Sequence, residues 1–373
     1  MGGGRITPLC SPPEEDSSVE QDSYRPSSLP LKPSCGRDDA DDGAVNGEDG
    51  SEVGGIEGLG RNAPSSFEFE AKQKKRCKAY REVLQSYDQL LSRSKSLEEA
   101  KSRILSYAPG GWIENVGGMD MSDYDVPDTT TLILVGPKGS GKSSLVNRIS
   151  NVFDDDMFAP ERAQVSYNPS TGDGTFFLQE YMIPRGSTSF CLYDTRSLSD
   201  DLSENIEMLK KWIKKGVCHG KLITRPSDSS RLKAKMRCKA RESGPQSKCT
   251  RMVNFVIFVV NGLAVLNSMD IDKDEGTSYT WGIAETFNSP YLSFKDDKPV
   301  VVVTHGDLLS LADRARVRLH LGELLGVSPL KQIFDIPESD DPATELTIVD
   351  MLRYSLEHAD KNLPHKDLLA KKV

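Results

Sequence analysis

The chain has 373 residues, of which 37% are hydrophobic and 28% charged, and a formal net charge of −9. That is enough for one large domain with appendages. No apolar run approaches the ~18 residues of a membrane-spanning helix, no apolar leader opens the sequence, and the seven cysteines include no C-x-x-C pair, which fits a reducing compartment better than a disulfide framework.

Residues 1–66 are rich in Gly, Ser and Pro and hold five Lys/Arg against thirteen Asp/Glu, nearly the whole net charge. Such a stretch cannot bury a core and reads as a disordered acidic tail. Met1-Gly2-Gly3-Gly4 hints at N-myristoylation, with Cys10 as a second acylation site, but Ile6 stands where Ser or Thr is required; the plain alternative is an ordinary disordered terminus. Residues 67–108 read as a helical extension. Tyr80, Val83, Leu84, Tyr87, Leu90, Leu91, Leu97, Ile104 and Leu105 form a stripe at three- and four-residue steps. The stripe packs on the following domain or serves a partner helix. The basic cluster Lys72, Lys74, Lys75, Arg76 and Lys78 solvates the helix or meets acidic lipid or nucleic acid. Pro109-Gly110-Gly111 ends the helix, and the main domain spans 130–362.

The stretch Thr131-Leu132-Ile133-Leu134-Val135 reads as a buried strand, and Ser144-Leu145-Val146-Asn147-Arg148-Ile149 as a helix. Between them Gly136-Pro137-Lys138-Gly139-Ser140-Gly141-Lys142-Ser143 matches G-x-x-x-x-G-K-S, the phosphate-binding P-loop. Glycines at 136, 139 and 141 let backbone N–H groups turn inward onto phosphate oxygens. The helix N-terminus favours an anion, Lys142 reaches the β- and γ-phosphates, and the Ser143 hydroxyl ligates Mg²⁺. The predicted phosphate cradle is thus Gly136, Lys138, Gly139, Ser140, Gly141, Lys142, Ser143 and Ser144.

Further on, 175–183 and 189–194 read as a hairpin around the turn Pro184-Arg185-Gly186-Ser187. A helix follows at 202–215. Residues 221–251 carry ten Lys/Arg against Asp228 and Glu242, with almost no apolar period, and read as a flexible basic insertion. It is either a solvated loop or a contact for nucleic acid or an acidic membrane surface. Cys218, His219, Cys238 and Cys249 match no usual zinc spacing and read as free side chains. Strands at 253–260, 299–304 and 331–336 alternate with helices at 278–288, 311–325 and 342–361. The alternation predicts an α/β fold: three layers, α/β/α, around a mostly parallel sheet.

Beyond the P-loop, the order of elements resembles small GTPases. One antiparallel hairpin follows the first helix, and its second strand ends in Asp194. There the resemblance places an Asp holding Mg²⁺ through water, and Asp194-Thr195-Arg196-Ser197 stands in the slot of D-x-x-G. Thr175, with Thr171 as second choice, takes the place of the switch threonine, so the implied metal set is Ser143, Thr175 and Asp194. After the valine strand, Thr304-His305-Gly306-Asp307 resembles the guanine-specificity motif [N/T]-K-x-D. The Asp307 carboxylate would accept from the guanine N1–H and N2 amino groups, a pair of donors adenine lacks. His305 would lie over the base in place of the Lys stem, and 334–339 would back the base.

The segments GPKGSGKSSLVN at 136–147, DGTFFLQEY at 173–181, CLYDTRSL at 191–198 and VVVTHGDLL at 301–309 make 130–362 similar to the translation-factor-related GTPase class. Within that class the likeness is greatest to the interferon-induced forty-four-like GTPase group and its plant P-loop hydrolase relatives. The resemblance implies a G domain that binds GTP or GDP with Mg²⁺ as a nucleotide switch, in a cytoplasmic setting, with peripheral membrane or nuclear association left open. A homodimer or a regulatory protein is the expected partner class. Two positions depart from the pattern. Ser197 replaces the glycine that contacts the γ-phosphate, and Leu198 stands where small GTPases carry a water-orienting Gln. Hydrolysis is therefore expected to be slow or partner-assisted. A non-hydrolysing nucleotide-binding scaffold and a P-loop ATPase or kinase are the alternatives.

Overall fold

The structure, a computed structural model, describes residues 66–154, 160–165, 174–242, 249–270, 277–294 and 297–366. The acidic tail, the acylation motif and Thr171 lie outside the described residues. What is described belongs to one compact unit, Ala63–Val373.

Two N-terminal helices, α1 (Ser66–Arg93) and α2 (Leu97–Leu105), are separated by a single 3-10 turn at Ser94–Ser96, where the sequence suggested one continuous helix. Then come β1 (Thr130–Val135), α3 (Lys142–Phe153), β2 (Gln179–Ile183), β3 (Phe190–Asp194) and α4 (Leu202–Lys215). The strand expected from residue 175 begins only at Gln179, and Thr175 sits in the loop before it. A two-residue ladder joins β4 (Val217–Cys218) to β5 (Thr250–Arg251), and between them runs α5 (Ser230–Glu242). The basic insertion expected to be flexible thus carries a helix. Its Arg, Lys, Ala and Met residues are good helix formers, and Met236 is its one buried apolar side chain among those described, so no apolar period announces it. The chain continues through β6 (Phe255–Asn261), α6 (Gly262–Asp270), α7 (Thr277–Phe287), β7 (Val300–Thr304), α8 (Leu311–Leu325), β8 (Ile333–Asp335) and α9 (Pro342–Lys361). The short helix α6 escaped the sequence reading because its apolar residues run on from the strand without a break.

The six-stranded sheet has the order β2-β3-β1-β6-β7-β8. Only β2 is antiparallel, paired with β3; the other neighbours are parallel. Side chains alternate across each central strand. Leu132, Leu134, Phe255, Ile257, Val259, Val300 and Val302 face a core shared with α2, α3 and α9. Ile133, Val135, Val256, Phe258, Val260, Val301 and Val303 face a second core under α4, α6, α7 and α8. Burial on both faces explains why these strands read as unbroken valine and isoleucine runs. The result is a three-layer α/β/α fold around a mostly parallel sheet.

Helix ends are set by local chemistry. Asp201 caps α4 by accepting from the Ser203 and Glu204 N–H groups, and Asp341 caps α9, with Pro342 in its first turn. No helix among the described residues is long and apolar enough to cross a membrane.

Candidate nucleotide-binding site

The loops leaving β1, β3, β6, β7 and β8 all emerge at one edge of the sheet, the carboxyl ends of parallel strands, where open α/β sheets bind ligands. A cavity of about 500 Å³ lies there. Lys138 to Leu145 of the P-loop and the start of α3 form its floor, and Thr175, Ser197, Asn261, Thr304, His305, Ile336 and Glu338 contribute walls.

The P-loop geometry follows from its glycines. Gly139 and Gly141 have φ of 75° and 77°, a region that costs side-chain-bearing residues about 1–2 kcal/mol. At Gly136 space is decisive, since a Cβ there would lie 2.1 Å from the Val259 carbonyl oxygen of the neighbouring strand. The Lys142 ammonium donates to the carbonyl oxygens of Gly136 at 2.9 Å and Pro137 at 3.1 Å, and reaches Ser197 Oγ at 3.3 Å. Burial pushes its pKa down to about 8, with Asp194 pulling it up and Arg225 pushing it further down.

Three residues expected to share a metal converge. Ser143 Oγ donates to Asp194 Oδ2 at 2.6 Å, Thr175 Oγ1 reaches the same oxygen at 3.1 Å, and the two hydroxyls are 3.3 Å apart. Asp194 is 2% exposed. Burial pushes its carboxyl pKa up against the pull of these hydroxyls and Lys142, and its Oδ1 is buried without a partner. An orphaned carboxylate oxygen beside two hydroxyls is a hard-oxygen set that fits Mg²⁺. Among the described residues no group of three or more His, Cys, Asp or Glu gathers as a metal site. Cys218, Cys238 and Cys249 form no disulfide, and His219 accepts the Glu180 N–H at Nδ1, 3.0 Å away.

On the opposite wall, Thr304 locks β7 to the P-loop. Its Oγ1 lies 3.0 Å from the Ser140 carbonyl oxygen and 3.1 Å from that of Val260. Its single proton goes to one of them, which leaves the His305 Nδ1–H, 2.9 Å away, to donate to the hydroxyl. His305 has φ of 58°, the one non-glycine with positive φ among the described residues, and it lines the cavity. Backbone strain of this kind concentrates at functional sites. Asp307, by contrast, does not line the cavity. It is exposed, and its Oδ1 accepts the Glu338 N–H at 2.9 Å, which ties the loop after β7 to the loop after β8.

The loop after β3 is stitched down twice. The Leu198 N–H donates to the Gly136 carbonyl oxygen at 3.0 Å, and the Leu198 side chain is buried with Met208 and Leu209. Leu198 is therefore a core residue and presents nothing to the cavity. Two residues before it, Arg196 forms a buried bidentate ion pair with Asp228, at 2.7 and 2.5 Å.

Sequence reading missed several site residues. Arg148, one turn along α3 from Ser144, which also lines the cavity, donates to the carbonyl oxygens of Pro337 and Ser339 and so braces the loop after β8. Its i+4 spacing from Ser144 was the available signal. Asn261 donates to the Gly139 carbonyl oxygen at 3.2 Å and, through Oδ1, caps α6 at the Ala264 N–H. Gln164 and Val165 also line the cavity, and nothing in their local sequence marks them, whereas Glu338 lines it from within the 334–339 segment expected there.

No protein-family model matches the chain, and no curated protein matches it. Among solved structures, the crystal structure of a probable GTP-binding protein engB aligns at 12% identity, over 60% of this chain and 98% of that chain, with a TM-score of 0.31. The functional reading rests on the geometry of the site itself.

Proposed function

We propose that the chain is a guanine-nucleotide-binding switch protein that binds GTP or GDP with Mg²⁺ and hydrolyses GTP slowly or with a partner's help. The observation that carries this reading is the convergence of Lys142, Ser143, Thr175 and Asp194 on one side of a single cavity, with Thr304 and His305 on the other. The P-loop N–H groups and Lys142 take the β- and γ-phosphates. In releasing its loop carbonyls for phosphate oxygens, Lys142 exchanges neutral acceptors for charged ones, the stronger kind of hydrogen bond. Ser143, Thr175 and Asp194 would hold Mg²⁺, which neutralises phosphate charge when bound. His305 offers its ring to the base. The Glu338 N–H bond fixes the Asp307 carboxylate outside the cavity lining, and the guanine contact would fall to its Oδ2 from the rim of the cavity. Within P-loop GTPases, kinship with the interferon-induced forty-four-like group is part of the proposal, as is a cytoplasmic setting.

A non-hydrolysing nucleotide-binding scaffold is the second reading, favoured by the burial of Leu198, which leaves no side chain at that position to orient water. Calorimetric titration of nucleotide-stripped protein with GTP, GDP and ATP, followed by a turnover assay, tests both. The proposal expects guanine nucleotides to bind with Mg²⁺ dependence and ATP far more weakly. Equal affinity for ATP would overturn the guanine assignment, and bound GTP that stays intact would leave the scaffold.

A further inference from the structure

A cation stands beside the P-loop lysine that none of the sequence motifs accounts for. Arg225 precedes α5, in the basic insertion. Its Nη2 donates to the Ser197 carbonyl oxygen, and the Ser197 Oγ is 3.3 Å from Lys142 Nζ. Arg225 therefore approaches the switch loop at the residue nearest the ammonium that would meet the γ-phosphate. Its backbone is fixed: the Arg225 N–H donates to Asp228 Oδ2 at 2.6 Å. That same carboxylate is locked by Arg196, and Arg196 also donates to the Ile223 carbonyl oxygen at 2.9 Å. The short loop 223–228 is thus rigidly mounted on the segment that follows Asp194.

The guanidinium at its tip is under-used. Nε is buried and has no partner, and Asp228, the nearest acid, is committed to Arg196 as a bidentate pair. Burial and the neighbouring Arg196 both push the Arg225 pKa down. Arg225, with an unused Nε–H, and Lys142, on the other side of Ser197, are two cations that gain from an anion placed between them. Leu198, meanwhile, is turned into the core, so the switch loop itself brings no side chain to stabilise the reacting phosphate except Ser197.

Resting on the GTP-binding reading, we propose that Arg225 is a catalytic residue: an arginine supplied in the same chain that contacts the γ-phosphate of bound GTP and stabilises charge as it is cleaved. In the step, the oxygen of a water molecule bonds to the γ-phosphorus as the bond to the β,γ-bridging oxygen breaks. The electron pair stays on the GDP leaving group, and both protons of the water end on the inorganic phosphate, released as dihydrogen phosphate. Arg225 neither gives nor takes a proton; its planar fork holds phosphate oxygens. An in-chain arginine would let a loop lacking the water-orienting Gln retain some turnover.

The test compares wild type, Arg225→Ala and Arg225→Lys in full-length, nucleotide-stripped protein. Affinities for GDP and a non-hydrolysable GTP analogue, single-turnover GTP cleavage, binding of GDP with aluminium fluoride, and melting temperature are read for each. Arg225→Ala should leave GDP affinity within about twofold, weaken the GTP analogue about tenfold or more, and slow cleavage about 10²-fold or more. It should also abolish the GDP–aluminium fluoride complex. Arg225→Lys, with charge but no fork, should fall between. A merely structural Arg225 would lower the affinities for GDP and the GTP analogue together, and that result overturns the inference, as does cleavage at the wild-type rate in Arg225→Ala. Wild type that binds ATP as well as GTP would sink the guanine reading and leave the arginine's role to be read from the same variants with ATP. Wild type that binds no nucleotide would overturn both.

Discussion

Tyr87 on α1 donates its hydroxyl to Asp335 Oδ2 at 2.8 Å, joining residues 248 positions apart. The same carboxylate oxygen accepts Arg314 Nε at 2.6 Å, and the guanidinium groups of Arg314 and Arg318 lie 5.0 and 5.3 Å from the centre of the Tyr87 ring. Burial pushes the phenol pKa up, so the ring stays neutral and keeps its proton to donate. Asp335 ends β8, immediately before the loop that lines the cavity through Ile336 and Glu338. The N-terminal helix is therefore braced against the strand that supports this wall of the cavity.

Tyr87→Phe removes one donor from a buried carboxylate that keeps its arginine. The expected loss of stability is about 1–2 kcal/mol. Tyr87→Ala also empties the space between Val83 and Ala315 and should cost about 3–5 kcal/mol. Urea denaturation measures both. An unchanged midpoint for the alanine variant would mean that α1 is peripheral to the fold.

Gly306→Ala tests the same corner from the other side. A Cβ at Gly306 would sit 2.6 Å from Asp335 Oδ1 and 3.2 Å from Arg314 Nε. Relieving that clash must move either Asp335 or the loop carrying His305 and Asp307. The expected result is a stability loss of about 1–3 kcal/mol and guanine-nucleotide affinity lowered about tenfold or more. Calorimetric titration and a melting curve read the two effects, and wild-type affinity would detach this loop from nucleotide recognition.

Most of the sheet was legible because its signals are local. The strands of 130–135, 255–261 and 300–304 are buried on both faces and read as unbroken apolar runs, and the helices at 202–215, 311–325 and 342–361 have capped starts and apolar residues recurring at three- and four-residue steps. The P-loop half of the cavity was legible for a similar reason, since eight consecutive residues, Gly136 to Ser143, carry the motif. What escaped depends on tertiary pairing. The helix at 230–242 buries Met236 alone of its described apolar side chains. Arg225 looks like any other charge in a basic run until Arg196 and Asp228 fix it beside Ser197. Leu198 was compared with the water-orienting Gln of small GTPases by counting from Asp194, whereas the bridge between Pro137 and Leu198 turns its side chain into the core.

Asp194→Asn should separate metal from nucleotide. The amide keeps the size of the carboxylate but loses its charge, and burial already disfavours that charge in the folded state. The apo protein should thus be no less stable than wild type. Nucleotide affinity of wild type should fall on chelation of Mg²⁺, and that of Asp194→Asn should not respond. Equal sensitivity of both proteins to chelation would place the metal elsewhere.

Lys142→Met should remove nucleotide binding and yet stabilise the empty protein at neutral pH. In the folded state burial holds the ammonium at a pKa of about 8, against 10.5 for the free side chain. At pH 7 the group is protonated in both states, so the fold carries the full cost of burying the charge, an upper bound of about 3 kcal/mol. Between pH 8 and 10.5 the unfolded chain binds a proton that the folded chain has released, so this contribution to stability rises with pH. The advantage of Lys142→Met over wild type should accordingly be largest near pH 7 and shrink toward pH 10. Melting curves of nucleotide-stripped proteins across that range check the sign. Lower stability of the methionine variant at pH 7 would show that the bonds from Lys142 to the Gly136 and Pro137 carbonyls outweigh the cost of burying its charge.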